Sequence, residues 1–214
     1  MSFDFDFDFD FDNNDEKPQK AVSKRAGSRH EFRKFSSERT VENLMPFHLE
    51  ENECWHCFSF GDVDSWSYAR AIIKQNPIDK MILSTWCMAN ADVEEIELFL
   101  QQGKLKEVDF YVGEIFKKSY ESVYEHLLYL QKIYRCRVCV FRNHAKVYVL
   151  TGKNESFVIE SSANVNTNPR AENTVVTKSK ELAIHYTDLF KEIKNYEKGS
   201  DDLWKGKNNE NCGN

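Results

Sequence analysis

The sequence predicts one α/β domain built on a mixed, largely parallel sheet flanked by helices. Short apolar runs alternate with stretches whose apolar residues recur at helical spacing, as they do in strand–helix–strand units. The 214 residues are enough for one domain with a sizeable core. No apolar run reaches the roughly 18 residues that cross a bilayer. We place the domain at residues 41–198, between an acidic tail (1–16) with a basic arm (17–40) and a polar tail (199–214).

The first half of the domain is predicted to alternate strands and helices. A strand at Cys54–Phe60 ends at Gly61, and apolar residues at helical spacing predict a helix over Ser65–Gln75. After a strand at Met81–Cys87, Asn90 and Asp92 signal a helix start, and Gly103 signals its end. Asp92 followed by Glu95 three residues later resembles a capping box. A further strand is predicted at Val108–Val112.

The second half is predicted to add one long helix, four strands and a closing helix. The long helix covers Tyr120–Tyr134, and the closing helix runs from Lys180 to Tyr196. The polar run Gly152–Ser156 is typical of a hairpin turn. It would make the strands on either side of it, at Lys146–Leu150 and Phe157–Ser161, neighbours in the sheet. The four strands are predicted at Arg137–Phe141, Lys146–Leu150, Phe157–Ser161 and Thr174–Thr177.

Charge is divided unevenly along the chain. The net charge is −6, but residues 1–16 carry six Asp and one Glu, whereas residues 17–40 carry eight Lys or Arg against two Glu. Residues 3–12, here called the Phe/Asp repeat, alternate Phe and Asp strictly. We interpret the acidic tail as disordered, or as a linear motif whose Phe residues dock on a protein partner. The basic arm is predicted to be flexible, and either contacts nucleic acid phosphates or pairs with the acidic tail.

The cysteines and the N-terminus indicate the compartment. Two pairs have C-x-x-C spacing, Cys54–Cys57 and Cys136–Cys139, which suggests zinc. Both pairs lie in predicted strands, where positions i and i+3 face opposite sides, so we interpret them as small buried residues instead. The N-terminus lacks a basic segment followed by an apolar one. We therefore expect a soluble cytoplasmic protein with no metal or other cofactor and no membrane contact.

Polar residues converge on two neighbouring predicted strands. His144, Lys146 and Tyr148 alternate along one strand and so share a face. Ser162 and Asn164 share a face at the end of the next strand. An imidazole, an ammonium, a hydroxyl and a carboxamide together suit a phosphodiester, because Lys and Asn donate to its oxygens while His attacks phosphorus or protonates a leaving oxygen.

These residues resemble the phospholipase D superfamily, whose motif is H-x-K-x(4)-D followed six residues later by G-S-x-N. His144-Ala145-Lys146 matches the start of this motif and Ser162-Ala163-Asn164 its end. Glu172 resembles the acidic residue that orients the family's catalytic His. The resemblance covers most of residues 50–195. It implies catalytic roles for His144, Lys146, Ser162, Asn164 and Glu172, and we assign Ser161, Arg170 and Tyr148 to substrate binding.

Two positions depart from the family pattern. Thr151 stands where the family has Asp, and Ser161 stands where it has Gly. The Ser-x-Asn block also arrives three residues late, and the predicted hairpin can hold the extra residues. The missing Asp removes a charge that we expect to support the site, which leaves Glu172 as the expected partner of His144.

The resemblance implies a two-step, metal-independent reaction through a phosphohistidine, in which a second His protonates the leaving oxygen. The chain has one such motif, so the chemistry implies a homodimer. A nuclease gripping DNA or RNA with the basic arm is the leading interpretation. The alternative is a binding or assembly protein that has lost turnover, and lipid hydrolysis is the least favoured. Trp86 either lines the pocket or fills the core, the core being favoured.

Overall fold

A computed structural model describes residues 37, 39–43, 48–165 and 170–196. The acidic tail, most of the basic arm and the polar tail lie outside the described residues, so the predictions for those segments stay predictions. Ser37 and residues 39–43 are helical, and Ser37 is buried. The helical segment therefore begins inside the region predicted to be a flexible arm, because Ser37 packs on the domain and its hydroxyl lies 2.8 Å from that of Ser67.

The domain contains seven strands and five further helices within the described residues. The helices are α1 (Ser65–Gln75), α2 (Asn90–Gln101), α3 (Phe116–Ser119), α4 (Glu121–Ile133) and α5 (Lys180–Glu192). The strands are β1 (Cys54–Ser59), β2 (Ile78–Thr85), β3 (Glu107–Gly113), β4 (Cys136–Phe141), β5 (Val147–Gly152), β6 (Ser156–Ser161) and β7 (Glu172–Lys178). None of the described helices combines the length and hydrophobicity that crossing a bilayer requires.

All seven strands form one mixed sheet in the order β1-β7-β6-β5-β2-β3-β4. β2, β3 and β4 run parallel, and the other four neighbouring pairs are antiparallel. The mixed sheet is confirmed, but the expectation of a largely parallel one is wrong. Helical connections follow β2 and β3, whereas β5, β6 and β7 follow one another through short loops, which join antiparallel strands.

Helices cover the sheet on both sides and divide the core in two. The larger cluster includes the apolar residues of α1, α2 and α4, and the smaller one packs α5 on the opposite face. Cys136 belongs to the larger cluster and Cys139 to the smaller one. The two thiols of this C-x-x-C pair thus face opposite sides of the sheet, as the strand period predicts.

The capping of α2 differs from the sequence prediction. Ala89, not Asp92, is the N-cap residue, and the Asp92 carboxylate accepts a 2.9 Å hydrogen bond from the Ala89 amide. Glu95 takes no part in the cap. Its carboxylate accepts from the Trp66 indole at 2.6 Å and from the Arg70 guanidinium at 3.1 Å. Because Trp66 and Arg70 are fully buried, Glu95 supplies negative charge to an interior cation.

We expect Glu95→Ala to lower the free energy of unfolding by about 3–5 kcal/mol, because it leaves a buried guanidinium without this carboxylate. Urea denaturation measures the effect. Glu94→Ala is the matched control, since the neighbouring side chain is exposed and its removal should change stability by less than about 0.5 kcal/mol. Equal losses for both variants would contradict a role for Glu95 as counter-charge.

Candidate phosphate site

The loop that leads into β5 is tied to the ends of β2 and β3 by the Asn143 side chain. This buried amide donates to the Ser84 hydroxyl at 3.0 Å, to the Thr85 carbonyl at 3.2 Å and to the Tyr111 carbonyl at 2.8 Å. Its oxygen accepts from the Ala145 amide at 2.9 Å. These hydrogen bonds fix the backbone on both sides of His144.

His144 and Lys146 are in direct contact. The Lys146 ammonium lies 2.9 Å from Nδ1 of the His144 ring and donates to the His144 carbonyl at 2.7 Å. The imidazole is exposed, whereas Lys146 is 6% exposed. The Trp86 ring covers one side of the imidazole with the ring centroids 5.4 Å apart. The site thus presents an accessible imidazole above a cation that is largely withdrawn from water.

Burial lowers the pKa of Lys146 below its ordinary value of 10.5, and the smaller influences of Cys87 and Glu172 act in the opposite direction. No hydrogen bond or ion pair joins Lys146 to a carboxylate among the described residues. A buried ammonium without such a partner is stabilised by an anion that enters beside it. This electrostatic situation suits a phosphoryl group better than a neutral ligand.

The end of β6 lies beside Lys146 and brings the serine pair to the site. The Ser161 amide donates to the Lys146 carbonyl at 3.0 Å. The Ser161 hydroxyl lies 2.7 Å from that of Thr174 and accepts from the Ala163 amide at 3.0 Å, so it shapes the turn after β6. The Ser162 hydroxyl donates to the Glu172 carboxylate and accepts from the Asn173 amide at 2.9 Å.

Asn164 carries a buried polar atom with no hydrogen-bond partner. Its backbone carbonyl accepts from the Ser65 amide at 3.3 Å, which anchors the residue at the start of α1. Its side-chain Oδ1 is buried and makes no hydrogen bond within the described residues. Leaving such an atom unsatisfied costs about 1–3 kcal/mol, and rotation of the amide can present its NH2 group instead. Asn164 therefore has hydrogen-bonding capacity left for a ligand.

Two predicted site residues, Tyr148 and Glu172, behave differently from the sequence prediction, and a third, Arg170, is not tested. Tyr148 is fully buried and its hydroxyl lies 2.8 Å from that of Ser65, so it packs in the core instead of facing a substrate. Burial also raises the pKa of Tyr148 well above 10.0. Glu172 bonds Ser162 and makes no hydrogen bond to His144 among the described residues. Arg170 is exposed, beside the undescribed residues 166–169, and its assignment to substrate binding stays a prediction.

Thr151 lies far from the reacting groups. It is five residues beyond Lys146 on the same strand, which at about 3.3 Å per residue places it roughly 16 Å away. An Asp at position 151 would therefore be too far from Lys146 to support the site by direct contact, contrary to our expectation. β5 runs from the site toward the opposite end of the sheet, and Thr151 lies near that end of the strand.

Sequence reasoning missed two contributors and misjudged a third. The sequence prediction gives Asn143 no role, although a polar residue just before a predicted strand is a usable signal. Gly113 was overlooked: a Cβ there would lie 3.0 Å from the Trp86 ring and 3.2 Å from the Asn143 carbonyl, so the close approach favours glycine. Trp86, for which the core was favoured, is only half-buried and contacts His144.

Metal binding finds no support in the described part of the chain, where no group of three or more His, Cys, Asp or Glu side chains could hold an ion. The cysteines there are all free thiols.

The fold resembles those of several solved structures. Polyphosphate kinase from Porphyromonas gingivalis matches with a TM-score of 0.50 at 13% identity, over 64% of this chain and 25% of that chain. NucT from Helicobacter pylori matches with a TM-score of 0.49 at 15% identity, over 65% and 94% of the two chains. Phosphatidylserine synthase from Haemophilus influenzae Rd KW20 matches with a TM-score of 0.48 at 13% identity, over 73% and 44%.

No family model and no curated protein matches the sequence. The three structural neighbours are all members of the phospholipase D superfamily. The seven-stranded sheet and its flanking helices thus form an α/β fold similar to that of the matched part of the polyphosphate kinase. The chain spans about a quarter of the polyphosphate kinase and less than half of the phosphatidylserine synthase.

We expect Asn143→Asp to destabilise the protein by about 2 kcal/mol, because a carboxylate cannot donate to the three oxygens that the amide now satisfies. Urea denaturation measures the loss. Asn154→Asp is the control, since Asn154 is exposed in the β5–β6 turn and the same chemical change there should be nearly neutral. Equal stability of both variants would show that the Asn143 bonds do not hold the loop.

We expect sulfate, a permanent dianion, to bind wild-type protein less tightly as the pH rises toward 10.5, because burial lowers the pKa of Lys146 below that value and the ammonium loses its proton. Lys146→Arg should keep its affinity over this range, since guanidinium stays charged. Isothermal titration calorimetry provides the affinities. The same pH dependence in both proteins would mean that Lys146 is not the cation that holds the anion.

Proposed function

We propose that this protein is a phosphodiesterase of the nuclease type. The contact between the exposed His144 imidazole and the buried Lys146 ammonium carries the proposal, because it pairs a nucleophile with a cation for the phosphoryl oxygens. The unsatisfied Asn164 amide adds a further group for the same ligand. The phospholipase D-like fold supports the proposal by analogy, since function depends on the site and not on the fold.

The proposed reaction proceeds in two steps without a metal. The neutral His144 ring attacks phosphorus, the P–O bond to the leaving group breaks, and a second imidazole protonates that oxygen as the alcohol departs. Water then attacks the phosphohistidine, the P–N bond breaks, and the second imidazole takes the water proton. Lys146 donates to the non-bridging oxygens throughout, and its contact with the His144 ring supports this role.

The second imidazole is proposed to come from a second copy of the chain. The described residues near His144 include no other histidine in hydrogen-bond contact with Lys146 or His144, and the sequence has one H-x-K motif. A two-fold axis through the site would bring two copies of His144 to one phosphorus atom. The exposure of the imidazole is compatible with such an arrangement.

Nucleic acid is the proposed substrate. The eight Lys or Arg residues of the basic arm offer an electrostatic grip that the remaining, acidic part of the chain lacks. The arm and the site are joined through the helical segment that begins at Ser37, whose hydroxyl accepts from the Asp64 amide at the start of α1. Because Asn164 bonds the next residue, Ser65, Ser37 lies close to the Asn164 end of the site.

We expect wild-type protein to cleave DNA or RNA in the presence of EDTA and His144→Ala to lose at least a thousandfold in rate, because the nucleophile is removed. Single- and double-stranded substrates of both kinds are compared by gel electrophoresis. His185→Ala is the matched control, since His185 is exposed on α5, on the opposite face of the sheet, and should retain full activity.

The same assay tests the proposed dimer. Mixing wild-type chains with an excess of His144→Ala chains, followed by unfolding and refolding together, should suppress activity beyond simple dilution, because mixed dimers hold one imidazole. Activity that depends on added metal, that survives in His144→Ala, or that is lost equally in His185→Ala would overturn the proposed chemistry.

A binding or assembly protein without turnover is the second candidate. The absence of a described Glu172–His144 hydrogen bond favours it, because an imidazole without an orienting acid is a weaker nucleophile. Thr151 no longer favours it, since that position is too distant to act on the site directly. Nucleic acid binding by wild-type protein and His144→Ala alike, with no cleavage by either, is the result that this candidate requires.

A further inference from the structure

A second pocket lies at the opposite end of β5 from His144 and on the opposite face of the sheet. It has a volume of about 250 Å³ and is enclosed by α5, β2 and the β5–β6 turn. Its apolar floor combines residues of the smaller core cluster with the exposed Ile184, and its walls carry lysines. The floor consists of Ile82, Val149, Ala183 and Ile184, and the walls include Lys80, Lys153, Lys180 and Lys191.

The wall of the pocket is positively charged. Four lysines line it against one acid, Asp188, so the lining carries a net charge of +3. Lys80 contacts Asp109 at 2.8 Å, and Lys191 contacts Asp188 at 3.2 Å. Lys153 and Lys180 are exposed, and their ammonium groups pair with no acid within the described residues. The pocket therefore combines an apolar floor with two cations available to a ligand.

Two departures from the phospholipase D motif, Thr151 and the longer turn after it, fall on this pocket, whereas Ser161 does not line it. Thr151, which replaces the family's Asp, lines it, and so do Gly152, Lys153 and Asn154 in the turn that carries the extra residues. An Asp at position 151 would place a carboxylate in the wall and would repel an anionic ligand. The substitution and the longer turn are thus explained together if the pocket receives a negatively charged group.

We propose that this pocket docks the chain's own Phe/Asp repeat. In an extended segment, alternate side chains point to opposite sides, so Phe rings would face the floor while Asp carboxylates reach the lysines at the rim. The size of the pocket suits this occupant. An apolar cavity of about 150 Å³ holds benzene, so about 250 Å³ accepts one phenyl ring, which is less than most free small ligands require.

The connecting chain is long enough for the repeat to reach the pocket of the same molecule. Twenty-four residues, 13–36, separate the repeat from the buried Ser37. Fully extended, they span about 80 Å, whereas a domain of this size has a radius of gyration of roughly 15 Å. Ser37 lies at α1 on the other face of the sheet, and a path around the edge fits within that length.

The test uses a fluorescent peptide of residues 1–16 and a protein lacking those residues, with binding followed by anisotropy. We expect the shortened protein to bind the peptide and the full chain to bind it at least tenfold more weakly, because its own repeat occupies the pocket. Affinity should fall as salt is added, since Asp and Lys contacts at the rim are exposed.

Charge variants of the shortened protein locate the binding site. Lys153→Glu with Lys180→Glu should weaken peptide binding at least tenfold, whereas Lys104→Glu with Lys118→Glu, exposed lysines outside the pocket, should leave it unchanged. Thr151→Asp should weaken binding several-fold. Thr151→Asn, which introduces a side chain of the same shape as Asp but without its charge, should not. A peptide with every Phe replaced by Ser should fail to bind, because it cannot fill the floor.

Several outcomes would overturn the proposal. Failure of the shortened protein to bind the peptide would do so, as would equal binding by the full chain. Equal effects of the pocket and control lysine pairs would place the contact elsewhere. Light scattering distinguishes one remaining arrangement: concentration-dependent oligomers that disappear when residues 1–16 are removed would show docking between copies instead of within one. None of these readouts depends on nuclease activity.

Discussion

Four hydrogen bonds of one buried amide hold the geometry of the candidate phosphate site. The Asn143 side chain bonds to β2, to β3 and to the loop that carries His144 and Lys146. The carboxyl ends of two parallel strands thereby meet the beginning of an antiparallel one. Without this amide, the loop would have to satisfy three backbone or hydroxyl oxygens with water, and the imidazole would lose its fixed place beside Trp86.

Lys146 shows how the fold accommodates a buried, largely desolvated charge. Its ammonium is held by the carbonyl and ring of His144, and no described acid neutralises it. Burying this ammonium costs free energy in the folded state, and an anion that binds beside it offsets part of that cost. The same arrangement gives the site a preference for negative ligands before any ligand arrives. Glu172, which accepts a hydrogen bond from Ser162, influences Lys146 only at longer range.

Local patterns predicted the elements well because they depend on short-range physics. The helix at Ser65–Gln75 has the predicted bounds, and β5 alternates between two cores as its apolar period indicates. Strand direction could not be read in the same way, since it depends on which distant segments pair. Tyr148 was misassigned for a related reason: the alternation gives the face correctly, but not the α1 helix that covers it through Ser65. The role of Asn143 depends on three segments that only the fold brings together.

The two ends of β5 are separated by the full length of a rigid central strand. Its start carries Lys146, while its end leads into the exposed turn at Lys153 and Asn154. Exposed turns of this kind accept added residues readily, because no buried backbone hydrogen bond is lost there. A loop graft between Lys153 and Asn154 should therefore be tolerated by the fold, and the two ends of the strand can diverge independently among related chains without disturbing one another.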